Sequence, residues 1–366
     1  MKTIGLISAN YISNKFGELT AERTLASLPF GGRYRLVDFA LSNMVNSGIK
    51  TVGLITPFNS GSLLDHVGDG KPWSLGRKSG GLFILPGSIY GIHSEGDRFV
   101  MRDIINNKAF LERDNADYVI VSGSSDVFNM DYSELIKVHA ASSNPVTLVY
   151  KHVDDAERYR GYFLERDNEG IVDEIKTSAE GEADYFMDLC IFDREYLIEF
   201  IQWYASLAHM DLFDIIRENP NIIGIGTYEF DGYLGKINDI VDYVRVSRDL
   251  FDYETRKKLF MGENPVYTKV QDEAPTLMGP DAEVKNSLIA AGCKIEGKVE
   301  NSIIFRSTHI APGAVVKNSV IMMHGEIGEN ALVHGVVTDK NVVITAGAKI
   351  AGGSEGPLIV GKGKKI

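Results

Sequence analysis

The chain has 366 residues, 44% hydrophobic and 24% charged, a globular composition that excludes wholesale disorder and a fibrous repeat. Lys plus Arg total 38 against 50 Asp plus Glu, and the net charge of −12 argues against nucleic acid as a partner, because duplex binders carry a basic surplus. Two cysteines, Cys190 and Cys293, cannot build a disulfide framework and suit a reducing cytoplasm.

At roughly 150 residues per domain, the length predicts about two domains. The charge is split accordingly. From Asp281 onward 10 basic residues meet 8 acidic ones, about +2, while the first 280 residues hold 28 against 42, about −14. No run approaches the roughly 20 apolar residues of a membrane span. The opening apolar run, residues 4–7, ends at Ser8 and Asn10 and is too short for a signal-peptide core.

Taken in order, residues 4–7, 51–55, 118–121 and 146–149 are short apolar runs that predict buried strands. Residues 37–45, 99–111 and 132–141 have apolar residues at helical spacing. Strand–helix alternation predicts an α/β layer fold with a mostly parallel sheet. Ligands then sit at the carboxyl ends of the strands, after Ile7, Ile55 and Val121. Residues 69–81, rich in Gly, Lys and Ser, predict an exposed loop. Residues 257–280 contain Gly262, Pro265, Pro275 and Pro280 and read as a linker between a domain of residues 1–256 and one of 281–366.

The tail is a repeat. Asn286-Ser287-Leu288-Ile289, Asn301-Ser302-Ile303-Ile304 and Asn318-Ser319-Val320-Ile321 recur at spacings of 15 and 17. Ile310-Ala311-Pro312-Gly313-Ala314, Ile327-Gly328-Glu329-Asn330-Ala331 and Ile344-Thr345-Ala346-Gly347-Ala348 recur at 17. An aliphatic residue followed four later by a small one is the hexapeptide pattern of a parallel β-helix. A single coil cannot bury its inner face, so about four to five coils must stack. His309, His324 and His334 read as turn residues. Lys362-Gly363-Lys364-Lys365 reads as a solvated tail. Lys151-His152 with Asp154-Asp155 lacks a convincing ligand spacing.

Leu28-Pro29-Phe30-Gly31-Gly32-Arg33-Tyr34-Arg35-Leu36-Val37-Asp38-Phe39-Ala40-Leu41-Ser42-Asn43, followed by Asn46-Ser47-Gly48-Ile49, resembles the ADP-glucose pyrophosphorylases, the glucose-1-phosphate adenylyltransferases of glycogen and starch synthesis. The resemblance covers essentially the whole chain. It implies a Rossmann-like nucleotide-diphospho-sugar transferase domain followed by a left-handed parallel β-helix. More narrowly, the chain is similar to the non-catalytic regulatory subunit that accompanies a catalytic subunit in Gram-positive bacteria.

The departures from the family pattern carry that narrower reading. Nucleotidyl transfer needs backbone N–H groups near phosphates, fixed cations and a carboxylate-held Mg²⁺. The family's loop, A-G-G-x-G-x-R-L-x-P-L-T-x-x-R-A-K-P, runs here from Ala9 to Ala26 without a gap. Its glycines have become Asn10, Tyr11 and Ser13, its catalytic-loop Arg is Lys15, and its later Lys is Leu25. Leu19-Thr20 and Arg23 remain. The metal-binding Asp of the family's G-D-H falls at Ser124, with Asp126 the one candidate substitute. The second metal Asp falls at Lys236, within Tyr233-Leu234-Gly235-Lys236-Ile237-Asn238-Asp239. Sugar-phosphate contacts fall at Ser94, at Lys176 and Thr177, and at Phe186 in Phe186-Met187-Asp188, so that Gly161 alone matches.

The resemblance therefore implies a catalytically impaired regulatory subunit of a homo- or hetero-tetramer. Its partner is a catalytic ADP-glucose pyrophosphorylase subunit, Mg²⁺ is expected in that partner, and this subunit is expected to need no cofactor. Arg33, Arg35 and Lys50 are candidates for an anion site at the domain junction, where family members are controlled by phosphorylated metabolites. The alternative is an active sugar-phosphate nucleotidyltransferase with altered substrate, using Asp126 and Asp97 for metal and Lys15 for phosphates.

Overall fold

The fold comes from a computed structural model, which describes residues 1–10, 14–57, 59–88, 98–113, 115–354 and 356–366. Its centre is a twisted sheet whose strands run, edge to edge, Ile225–Glu229, Val146–Val153, Ala183–Asp193, Tyr118–Ser122, Thr3–Ser8, Thr51–Thr56 and Gly81–Pro86. All neighbours are parallel except Ala183–Asp193, which is antiparallel to both strands beside it. A hairpin of Phe163–Arg166 and Val172–Lys176 joins it at Tyr185. The central strands are buried on both faces, so they read as unbroken apolar runs rather than alternating ones.

Helix Leu36–Asn46 starts where Asp38 caps the backbone N–H of Arg35 at 3.0 Å and lays Val37, Ala40, Leu41 and Met44 on the sheet. The helical stretch 99–111 is broken. Asp211 accepts from the backbone of Arg98 and Phe99, delaying the start to Met101, and Asn107 divides Met101–Asn106 from Lys108–Glu112. The segment 69–81 is not simply an exposed loop. Trp73 and Leu75 are buried in the core and pin it, with Trp73 edge-on to His66.

The C-terminal part is a left-handed β-helix of five coils, its three faces each a parallel five-stranded sheet. Ile295, Ile310, Ile327 and Ile344 stack inward along one face, as the repeat predicts. The recurrent Asn-Ser pairs build one corner. Asn286, Asn301 and Asn318 take positive φ values of 42°, 47° and 51°, a conformation asparagine tolerates better than most residues. Each following serine then accepts the next coil's backbone N–H, Ser287 from Ser302, Ser302 from Ser319 and Ser319 from Val336, all at 3.1 Å. His324 is also a corner residue, φ 58°, whereas His309 and His334 lie within strands and bond Glu296 and Asn318.

The span 257–280 is strapped to the first domain rather than hanging free. Helix Tyr253–Phe260 runs into it, and the first β-helix strand, Leu277–Met278, begins inside it. Ser42 accepts from the backbone N–H of Tyr267 at 2.9 Å, and Asn129 donates to the carbonyls of Leu259 and Asn264. The β-helix docks through one apolar cluster in which Leu19, Leu25, Phe30 and Phe39 meet Ile303, Phe305, Val320 and Met322. Arg23 and Asp339 cross this junction as a buried ion pair in which Nη2 of Arg23 donates to both carboxylate oxygens, at 2.8 and 2.7 Å. The lysine-rich end is docked as well, because Lys362 and Lys364 pair with Glu22 and Glu18.

Candidate functional site

The carboxyl ends of Thr3–Ser8 and Tyr118–Ser122 lie side by side, and the residues after them should meet a ligand. After Ser122 the chain instead turns inward. Ser124 is buried and donates to the carbonyl of Ser8 at 2.6 Å, so its hydroxyl is spent on the scaffold. Asp126 follows, 5% exposed. Val127 then exchanges two backbone hydrogen bonds with Gly235, at 2.9 and 2.8 Å, which sets Lys236 beside Asp126.

Lys236 is 1% exposed, an unusual position for a lysine. Its Nζ lies 3.1 Å from the Asp126 carboxylate and 2.5 Å from Oδ2 of Asp188, over the face of the Tyr185 ring. Asp188 reaches this point because its strand is irregular. The pairing with Val146–Val153 shifts between Phe186 and Cys190, and Asp188 takes φ 52°. Such a bulge re-aims a side chain that regular alternation would send elsewhere. The carbonyl of Asp188 accepts from Gly123, and Arg98 pairs with its Oδ2. Two carboxylates, one ammonium and one guanidinium thus form a closed group of zero net charge.

The segment after Lys236 is also held by cations. Arg98 donates to Asn238 at 3.3 Å, Arg160 pairs with Asp239 at 3.0 Å, and Arg245 donates to the Lys236 carbonyl at 3.2 Å. Asp239 and Asp242 are committed to capping helix Ile240–Asp249. Among the described residues, no group of three His, Cys, Asp or Glu side chains is placed to hold a metal. With Lys236 in place, both carboxylates at this position are already paired with cations.

The other expected positions scatter. Asn10 is buried and donates to Asp103 at 2.5 Å, filling space near Gly87. Lys15 is exposed on the short helix Asn14–Thr20. Leu25 lies in the apolar junction cluster, where a lysine would be buried. Gly161 has φ 151°, and a Cβ there would come within 2.9 Å of the Tyr185 hydroxyl, so its match to the family reflects packing as well. Phe186, expected near a sugar, is 1% exposed and packs edge-on to Phe213. Lys176 pairs with Glu165 on the outer hairpin, and Thr177 beside it is exposed. Tyr11, Ser13, Ser94 and Asp97 lie outside the described residues.

Arg33, Arg35 and Lys50 do not converge. Arg33 is exposed and lines a cavity of about 570 Å³ at the junction, with Arg256, Arg306, Gln271 and Glu273. Arg35 turns away to the carbonyl and hydroxyl of Ser62, at 2.5 and 3.0 Å. Burial first, with Arg23 and Arg306 nearby, lowers Arg35 to about 10 despite the opposing pull of Asp38. Lys50 borders a separate, smaller cavity beside Trp73 and Arg77. The spacing missed two members of the strand-end group, Arg98 and Asp188. A signal existed at Asp188, an acidic residue in the run Phe186-Met187-Asp188 where the sugar contact is lost.

A mixed α/β sheet joined to a hexapeptide β-helix defines a class, and comparison with known proteins matches both parts. A Nucleotidyl transferase family model covers residues 13–206, and a GlmU-like C-terminal hexapeptide model covers 274–355. The chain is 32% identical to the glycogen biosynthesis protein GlgD of Bacillus subtilis (strain 168), over 98% of this chain and 96% of that one. It is 34% identical to GlgD of Geobacillus stearothermophilus, over 86% and 83%. It is 29% identical to the glucose-1-phosphate adenylyltransferase of Clostridium perfringens (strain 13 / Type A), over 98% and 93%. The chain belongs to the glucose-1-phosphate adenylyltransferase family, the nucleotidyltransferase family of glycogen biosynthesis that includes GlgD. Among the described residues, no helix is long and apolar enough to cross a membrane.

Proposed function

We propose that this chain is a regulatory, catalytically impaired subunit of a glucose-1-phosphate adenylyltransferase complex in glycogen biosynthesis. The complex converts ATP and glucose 1-phosphate to ADP-glucose and pyrophosphate, and Mg²⁺ acts in the catalytic partner. The observation that carries the reading is Lys236, whose buried ammonium lies between Asp126 and Asp188 where the family resemblance puts a metal carboxylate. A cation there repels the divalent ion that would neutralise the triphosphate. The same changes weigh against an active enzyme built on Asp126, because that carboxylate is already engaged. The scaffold around the site is intact, and an intact scaffold suits a subunit that must still assemble.

The junction cavity beside Arg33, Arg256 and Arg306 is the proposed place for a phosphorylated effector. Three arginines and one acidic residue, Glu273, line it.

The test is reconstitution. The purified chain alone should form negligible ADP-glucose with Mg²⁺, ATP and glucose 1-phosphate. Added to a catalytic subunit, it should join an oligomer of tetramer size and change the partner's rate or effector response. Robust synthesis by the chain alone sinks the proposal, as does failure to co-assemble. The triple variant Ser124→Asp, Lys236→Asp, Leu25→Lys asks whether the scaffold is still competent, and any gain of activity would answer yes.

A further inference from the structure

We infer that Lys236 is a tethered substitute for a divalent cation, and that Asp126 and Asp188 form a cation site which its ammonium keeps filled. This extends the reading of the site given above. Its test reads cation binding rather than adenylyl transfer, so either can fail without the other.

The argument is one of charge and geometry. The two carboxylates are 5% and 1% exposed and converge on one point, Nζ of Lys236. Side by side without a cation, two buried carboxylates repel. Here one ammonium and the Arg98 guanidinium together supply the two positive charges that a divalent ion supplies alone. The three anchor points are rigid. Asp126 and Lys236 flank a backbone pair between Val127 and Gly235, and Asp188 is fixed by its carbonyl bond to Gly123.

A second, independent observation points to a ligand position. Oδ1 of Asp188 is buried and has no hydrogen-bond partner among the described residues. An orphaned carboxylate oxygen is costly to bury. It is a lone-pair donor left over, which an ammonium of three donors does not reach but an oxygen-seeking ion with several coordination positions can use. The consequence for the native chain is independence from metal. Its strand-end loops stay assembled in the presence of a chelator, whereas loops held by an exchangeable ion would loosen.

The experiment uses the full-length chain and Mn²⁺ as the probe, followed by calorimetric titration and by melting temperature. The wild-type chain should bind no Mn²⁺ at this position, and neither EDTA nor Mn²⁺ should move its melting temperature by more than about 1 °C. Lys236→Ala should melt lower, bind one Mn²⁺ at least tenfold more tightly than wild type, and regain several degrees when Mn²⁺ is added. Adding Asp188→Asn to that variant should abolish the gain. The inference is overturned if Lys236→Ala binds Mn²⁺ no better than wild type, or if Asp188→Asn leaves the gain intact. Should Lys236→Ala fail to fold, the wild-type arm still decides: Mn²⁺ binding lost in an Asp126→Asn variant would mean the site is open and the ammonium does not fill it.

Discussion

Replacing Asp339 by alanine should destabilise the molecule by breaking a buried ion pair that joins the two domains. Arg23 makes two hydrogen bonds to Asp339, at 2.8 and 2.7 Å, and the two side chains are 5% and 2% exposed. Removing one partner leaves an uncompensated buried guanidinium, and such losses run to about 3–5 kcal/mol. The backbone N–H of Lys340 loses its acceptor as well, at 2.7 Å. The double change Arg23→Met with Asp339→Leu removes both charges and should fall within about 1–2 kcal/mol of wild type, since an apolar pair of similar volume commonly replaces a buried ion pair at little cost. Urea unfolding followed by tryptophan fluorescence is a suitable assay. Trp73 is buried in the sheet core and reports the first domain, while the exposed Trp203 changes little. A two-domain chain need not unfold in one step, so the midpoint of the Trp73 transition is the quantity to compare. A loss below about 1 kcal/mol in Asp339→Ala, or a double variant weaker than the single one, would refute the reasoning.

Three further outcomes follow from particular contacts. Lys340 is lowered from an ordinary 10.5 to about 8, by burial first and then by Arg35 and Arg23, so between about pH 8 and 10.5 the unfolded chain keeps a proton that the folded chain has released. Stability should then rise with pH across that window, and Lys340→Met should melt higher than wild type at pH 7 with an advantage that shrinks by pH 10. Ser302→Ala should cost about 1–3 kcal/mol in urea titrations, because its buried hydroxyl accepts from Ser319 and donates to Glu300. Leu25→Lys alone should destabilise by on the order of 3 kcal/mol, since a 4% exposed core leucine is replaced by a charge with no partner, and a neutral effect on melting would show that the junction opens there.

Much of the architecture was legible in the chain because it rests on local periodicity. Unbroken apolar runs such as residues 118–121 predict strands of a parallel sheet, and the Asn-Ser and Ile-x-x-x-Ala repeats predict stacked coils. Where prediction failed, a tertiary contact was responsible. Asp211 moved the start of the helix at Met101. Trp73 pinned a stretch whose composition reads as loop, and Glu18 and Glu22 captured a tail that reads as solvated. Ser124 and Lys236 stood out as departures, but a departure states only what is missing. What replaced the missing groups depends on contacts across 48 and 110 positions of chain.

Composition and spacing alone therefore determined that this is an acidic two-part chain, a mostly parallel α/β sheet followed by a β-helix. Both follow from short-range rules, the burial of whole apolar runs in the sheet and of one residue in six in the coils. Tertiary structure alone decided the chemistry of the strand ends. A bulge swings Asp188 inward, a two-bond bridge at Val127 and Gly235 carries Lys236 to Asp126, and Arg98 completes the charge balance. Attraction between buried opposite charges, strong where water is absent, is what makes these distant residues one group.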